Sequence, residues 1–173
     1  MKIPWSGRSH DFEKKDLNFL IDIIKKADPL TQGKYLKMFE KSFANYLGKK
    51  NVYAVSSAAS ALEIIALLLD IKKKDEVIIP AHTYCASAIP FARNGAKIVW
   101  ADIDFNTRVV DLKDIKKKIN SKTKAIVIVH LYGYANDFRS LITYCKKKKI
   151  KIIEDCAQAI GAQIGKQKVG SIG

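Results

Sequence analysis

Cysteine is scarce in this sequence, and the signals of membrane insertion and secretion are missing. Its three cysteines, Cys85, Cys145 and Cys156, show neither CxxC nor Cys/His ligand spacing, which predicts free thiols and no metal site. No apolar run reaches the roughly 20 residues that a membrane-spanning helix needs. The first residues lack the apolar core of a signal peptide. We therefore predict a cytoplasmic protein that makes no contact with a membrane.

Two phosphate-binding motifs are also absent. No G-x-G-x-x-G follows the first predicted strand, and no Walker glycine-lysine loop occurs anywhere in the 173 residues. These are the loops by which dinucleotide-binding domains and P-loop enzymes hold their phosphates. The sequence therefore argues against both classes of nucleotide-binding protein.

Charge is abundant and strongly positive, with a formal net charge of +14. A basic surface can bind nucleic acid by releasing counterions from phosphates. Here the lysines form short runs at 72–74, 116–118 and 146–149, each at the end of an apolar helical pattern, where cations are favoured by the helix dipole. We predict no nucleic-acid partner, and nucleic-acid binding stays a weaker alternative.

The hydrophobic residues change period repeatedly along the chain. Residues 17–24 and 36–47 each have an apolar helical face, which predicts an N-terminal helical segment over residues 1–50. From residue 51, apolar runs typical of strands alternate with helical patterns. This order predicts a three-layer α/β/α sandwich on a mostly parallel sheet over residues 51–173. The predicted strands are "VYAVSS" (52–57), "EVIIP" (76–80), "KIVWADI" (97–103), "KAIVIVHLYG" (124–133) and "IKIIED" (150–155).

Polar and small residues follow these strands, at the edge where parallel sheets bind ligands. In "SSAAS", the backbone amides in the first turn of the following helix are open and could hold a phosphate. Asp155 could pair with the protonated ring nitrogen of a flat cofactor, as in enzymes that use pyridoxal phosphate (PLP) as an electron sink. We expect Ala58, Tyr84 and Asp155 to converge at one edge of the sheet.

Each of these residues also has a structural interpretation. The serines and alanines could simply cap a helix, and Tyr84 could be a core aromatic. Asp155 could be a strand-end turn former with Glu154 as its solvated neighbour. His130, on an apolar strand, is expected to be a core histidine rather than a catalytic residue.

Four segments in this order resemble the DegT/DnrJ/EryC1/StrS family of PLP-dependent nucleotide-sugar aminotransferases. The segments are "SSAASALEIIALLL", "DEVIIPAHTYCASAIPFARNGAKIVWADID", "TKAIVIVHLYG" and "IIEDCAQAIGAQIGKQKVGSIG". The resemblance implies the large domain of a fold-type I aminotransferase. It also implies a homodimer that moves an amino group, usually from glutamate, onto a nucleotide-linked keto sugar in amino-sugar or polysaccharide biosynthesis.

The resemblance also implies roles for individual residues. Asp155 matches the partner of the pyridine nitrogen, Gln158 the residue near the ring hydroxyl, and Tyr84 the aromatic that stacks on the ring. Ala58 and Ala59 match a Gly-Thr pair whose amides hold the phosphate, so a threonine hydroxyl is missing here.

No residue of the chain matches the family's Schiff-base lysine, which the resemblance puts beyond Gly173. Lys166 and Lys168 fall in a predicted hairpin around "GKQ". We therefore expect residues 51–173 to be an incomplete large domain with no catalytic residue of its own. The alternatives are a non-catalytic remnant or binding module of the same fold, and descent from members that use a histidine in place of the lysine for sugar dehydration.

Overall fold

Residues 12–29 and 31–173 are described by a computed structural model of the chain. They form two compact units, of which the first ends at Ala54 and the second begins at Val55. The predicted division lay between residues 50 and 51. The first eleven residues of the predicted helical segment, and Leu30, lie outside the described residues.

Two amphipathic helices make up most of the described part of the first unit. Helix α1 spans Lys14–Lys26 and begins with a capping box in which Glu13 and Asp16 bond each other's backbone, a common helix start. Helix α2 spans Lys34–Leu47. It ends at Gly48, whose φ of 67° is the left-handed conformation that glycine adopts without strain.

A four-stranded parallel sheet is the centre of the second unit. Its strands are β1 (Glu76–Pro80), β2 (Lys97–Ala101), β3 (Thr123–Val129) and β4 (Lys151–Asp155), and their order in the sheet is β2-β1-β3-β4. The central strands β1 and β3 are almost entirely buried, whereas β2 and β4 at the edges are partly exposed. This difference explains why β1 and β3 contain the continuous apolar runs "VIIP" (77–80) and "AIVIV" (125–129).

Helices cover both faces of this sheet, which confirms the predicted three-layer sandwich. On one face, Leu62 and Phe91 pack with Val77 and Val127; on the other, Leu141 packs with the alternate strand residues. The helices are α3 (Ala58–Leu68), α4 (Ile89–Arg93), α5 (Leu112–Lys118) and α6 (Arg139–Lys148), with short 3₁₀ turns at Cys85–Ser87 and Leu131–Gly133. Among the described residues, none of these helices is long and apolar enough to cross a bilayer.

The predicted strand at 52–57 is wrong, because these residues belong to no described strand. A strand needs a neighbour that accepts and donates its backbone hydrogen bonds, and the sheet of the described residues offers none here. The Ala54 amide instead donates to the Glu40 side chain at 2.9 Å.

The predicted hairpin around "GKQ" is confirmed. Strand β5 (Gln163–Ile164) pairs antiparallel with β6 (Gln167–Lys168). Gly165 lies at the turn with a φ of 61°, a conformation that favours glycine.

Candidate functional site

A cavity of about 360 Å³ lies at the carboxyl ends of β3 and β4, beside the start of α3. The five residues that the resemblance assigned to cofactor binding all line it: Ala58, Ala59, Tyr84, Asp155 and Gln158. The expected convergence of Ala58, Tyr84 and Asp155 is thus confirmed. The remaining wall is mostly small or apolar. Volume and lining are those of a pocket for a small organic molecule.

Asp155 is held in place by hydroxyl and amide donors. Ser87 Oγ donates to Asp155 Oδ2 at 2.7 Å, and the Ala157 amide donates to Oδ1 at 3.2 Å. The single hydroxyl proton of Ser87 is given to Asp155, so Ser87 Oγ accepts a hydrogen bond from the Thr83 hydroxyl, 2.9 Å away. The relay from Thr83 through Ser87 fixes the direction of the carboxylate at the cavity wall.

Helix α3 begins at the cavity and presents backbone amides to it. Ser57 is its N-cap, and the Ser57 side chain accepts from the Ser60 amide at 3.1 Å. The first amides of a helix have no acceptor within the helix, and this cap satisfies only that of Ser60. The amides of Ala58 and Ala59 therefore remain as donors for an anion, which the helix dipole also favours.

Tyr84 and Gln158 lie at the mouth of the cavity. Tyr84 is 71% exposed, so the structure does not support a core role. Gln158 Oε1 accepts from the Tyr132 amide at 2.9 Å. This bond leaves the Gln158 NH₂ group as the part of the side chain that could donate to a ligand.

Two features of the site were not found from the sequence. Ser87 contacts Asp155 across 68 positions of the chain, and no spacing rule links the two residues. Glu154, interpreted as a solvated neighbour, is instead a buried side chain with 4% exposure that pairs with His130. His130 is a buried core histidine, as expected.

No lysine is among the described residues that line this cavity. Lys166 lies at the turn of the β5–β6 hairpin and Lys168 lies on β6. Neither side chain belongs to the cavity wall.

The model of the DegT/DnrJ/EryC1/StrS aminotransferase family matches residues 11–173. The chain belongs to this family. Among DegT/DnrJ/EryC1/StrS relatives, GDP-perosamine synthase of Vibrio cholerae is 41% identical over 93% of the chain and 43% of its own length. The dTDP-3-amino-3,6-dideoxy-alpha-D-galactopyranose transaminase of Aneurinibacillus thermoaerophilus is 45% identical over 78% of the chain and 37% of its own length.

Solved structures of the family share this fold. The Escherichia coli GDP-4-keto-6-deoxy-D-mannose-3-dehydratase with bound hydrated PLP matches with a TM-score of 0.84 and 28% identity. The match covers 94% of the chain and 43% of the dehydratase. The chain thus spans less than half the length of these relatives.

Proposed function

We propose that the chain is the cofactor-binding part of a PLP-dependent enzyme that transfers an amino group to a nucleotide-linked keto sugar. The observation that carries the proposal is that Asp155, the start of α3 and Tyr84 line one cavity. A flat, phosphorylated pyridine needs these three elements: a carboxylate, an anion site and an aromatic face. When bound, PLP supplies an electron sink for the carbon that bears the amino group.

Each residue has a distinct task in this proposal. Asp155, oriented by Ser87, keeps the proton on the pyridine nitrogen. The amides of Ala58 and Ala59 bind the phosphate, and amide donors persist although no threonine hydroxyl is present. Tyr84 covers the ring and excludes water from it, while the NH₂ group of Gln158 donates to the ring hydroxyl.

The partners in this proposal follow from the family. We infer an amino acid such as glutamate as donor, a nucleotide-linked keto sugar as acceptor, and a homodimer as the working assembly. The names of the relatives, a GDP-perosamine synthase and a dTDP-sugar transaminase, support a nucleotide-linked acceptor. We further infer that the 173-residue chain by itself holds PLP without turnover, since no described lysine lines the cavity.

The test is a spectrophotometric titration of the 173-residue chain with PLP, compared with the variant Asp155→Asn. A hydrogen bond to a charged group contributes about 1.5–3 kcal/mol, so this substitution should weaken binding roughly ten- to a hundredfold. Asp137→Asn is the matched control, since it removes the same charge from a half-exposed ion pair with Arg139 outside the cavity wall.

Equal affinities for the wild-type chain and Asp155→Asn would contradict the proposed role of Asp155. Pyridoxal without its phosphate should bind more weakly than PLP, because it leaves the amides of α3 unused.

After borohydride reduction, peptide mapping should find no single dominant modified lysine. Stoichiometric labelling of Lys166 or Lys168, lost in Asp155→Ala, would contradict the absence of turnover chemistry.

A further inference from the structure

Glu154 accepts hydrogen bonds from four donors, although it lies beside the carboxylate assigned to the cofactor. Its Oε1 accepts from the amides of Ile172 at 2.7 Å and Gly173 at 2.6 Å. Its Oε2 accepts from the Gly170 amide at 2.8 Å and from His130 Nε2 at 3.2 Å. One buried carboxylate therefore fastens residues 170–173, which we call the terminal turn, to the end of β4.

His130 connects this carboxylate to the cavity. The Asn136 amide donates to His130 Nδ1 at 3.0 Å, so the neutral ring carries its proton on Nε2 and donates it to Glu154. The His130 amide donates to the Asp155 carbonyl at 3.0 Å, and His130 lines the cavity. The cavity wall and the terminal turn thus share one hydrogen-bonded network.

The same geometry decides against a metal ion at this cluster. Ligand atoms of His130, Glu154 and Cys156 lie within 4.8 Å of one another. Metal ligation needs an imidazole nitrogen with a free lone pair, whereas Nδ1 accepts from Asn136 and Nε2 carries the proton given to Glu154. The cluster is a hydrogen-bonded anchor.

The terminal turn also fits closely against β4. A Cβ on Gly173 would lie 3.2 Å from Glu154 Cγ. Gly170 has a φ of +81°, and a Cβ there would lie 3.4 Å from Cys156 Sγ. The turn therefore has little freedom to shift along the strand while Glu154 holds its amides.

We propose that Glu154 is a positioning residue that couples the cavity to the terminal turn, so that a ligand in the cavity and an ordered turn stabilise each other. The coupling runs from the turn through Glu154 to His130 and the end of β4, where Asp155 lies. Such coupling is reciprocal: if an ordered turn strengthens ligand binding by some factor, binding lowers the opening equilibrium of the turn by the same factor. The ligand side of this inference rests on the proposed function.

The test is amide hydrogen exchange, measured by NMR on the 173-residue chain with and without PLP. Glu154→Gln replaces one carboxylate oxygen with an NH₂ group. Because each oxygen of Glu154 accepts two hydrogen bonds, this NH₂ group faces two N–H donors whichever way the amide is oriented. We expect exchange at Gly170, Ile172 and Gly173 to be at least about tenfold faster, the effect of losing one to two hydrogen bonds. PLP should slow this exchange in the wild-type chain and not in Glu154→Gln.

Glu63→Gln is the matched control, because it removes the same charge from a surface pair with Arg93; it should behave as wild type. Gly170→Ala is a second variant, since it strains the turn and leaves Glu154 intact; it should reproduce the faster exchange at residues 172 and 173. The proposal would be overturned if amide exchange became faster uniformly along the whole Glu154→Gln chain while PLP still slowed exchange in the terminal turn. That result would mean that Glu154 has a merely structural role.

Failure of the proposed function gives a different result. If the wild-type chain does not bind PLP, the cofactor assignment and the coupling both fail. The anchoring of the turn is then decided by the ligand-free comparison alone: unchanged exchange in Glu154→Gln overturns it, and faster exchange confined to the terminal turn supports it.

Discussion

Glu154 and Asp155 show how two adjacent carboxylates in one strand acquire separate tasks. Successive side chains of a strand point to opposite faces, and here Asp155 contacts Ser87 while Glu154 contacts His130 and the terminal turn. Both contacts depend on residues far away in the sequence. The carboxylates were visible in "IIEDCAQAIGA", but their partners were not.

Acidification should release the terminal turn. Burial would raise the pKa of Glu154, but hydrogen bonds from His130 and the amides of Gly173, Gly170 and Ile172 outweigh it and hold the pKa below its ordinary 4.5. A lowered folded-state pKa means that this stabilisation is present above about pH 4.5 and is lost as the pH falls through the folded value. The amide NMR signals of Gly170 and Gly173 should therefore shift together, with a midpoint below pH 4.5.

The control for this titration is Glu154→Gln, which has no proton to take up at this position. Its Gly170 and Gly173 signals should lack the acid transition. A transition that persists in this variant would assign the titration to another group.

The N-terminus of α3 has two roles, because Ser57 caps the helix there and the same turn lines the cavity. Ser57→Ala removes the side-chain acceptor of the Ser60 amide, and losing such a cap costs about 1 kcal/mol of stability. We expect urea denaturation to show a loss of this size for Ser57→Ala. Ser60→Ala is the control, because it keeps both the Ser60 amide and the Ser57 cap, and it should lower the free energy of unfolding by less. Equal losses of stability in the two variants would contradict the capping role of Ser57.

The elements that the sequence predicted well are those whose pattern is local. Strands β1 and β3 are buried on both faces, so each contains an uninterrupted apolar run that can be recognised without knowing its neighbours. The segment at 52–57 has similar composition, but its state depends on a neighbouring strand, which composition does not encode. The same reasoning applies to the site: Asp155 is the last residue of a strand and was found, whereas the orienting Ser87 is joined to it only through the fold.

Helix α3 leaves an apolar face uncovered within the described residues. Ile64, Leu67 and Leu68 are 45%, 65% and 79% exposed, and their i, i+3, i+4 spacing puts them on one side of the helix. Exposed apolar patches drive association, so light scattering should show dimers or larger species, in accord with the proposed homodimer.

Leu68→Glu should shift this equilibrium toward monomer. Ile160→Glu, a matched change at an exposed apolar residue that is not part of α3, should leave it unchanged. A wild-type chain that stays monomeric over a wide concentration range would contradict self-association through this face.

The strand order has a consequence for how the chain is made. Strand β1 lies between β2 and β3. Until the ribosome has synthesised β3, which begins at Thr123, β1 has at most one neighbouring strand, and the backbone groups along its other edge have no strand to pair with. The core around Val77 also lacks Ala125, Val127 and Val129 until β3 emerges. Because parallel pairing requires long loop closures, the sheet forms late and slowly. While residues 81–129 are being synthesised, the nascent chain therefore carries an apolar strand that is not fully covered, which exposes it to aggregation and to chaperone binding.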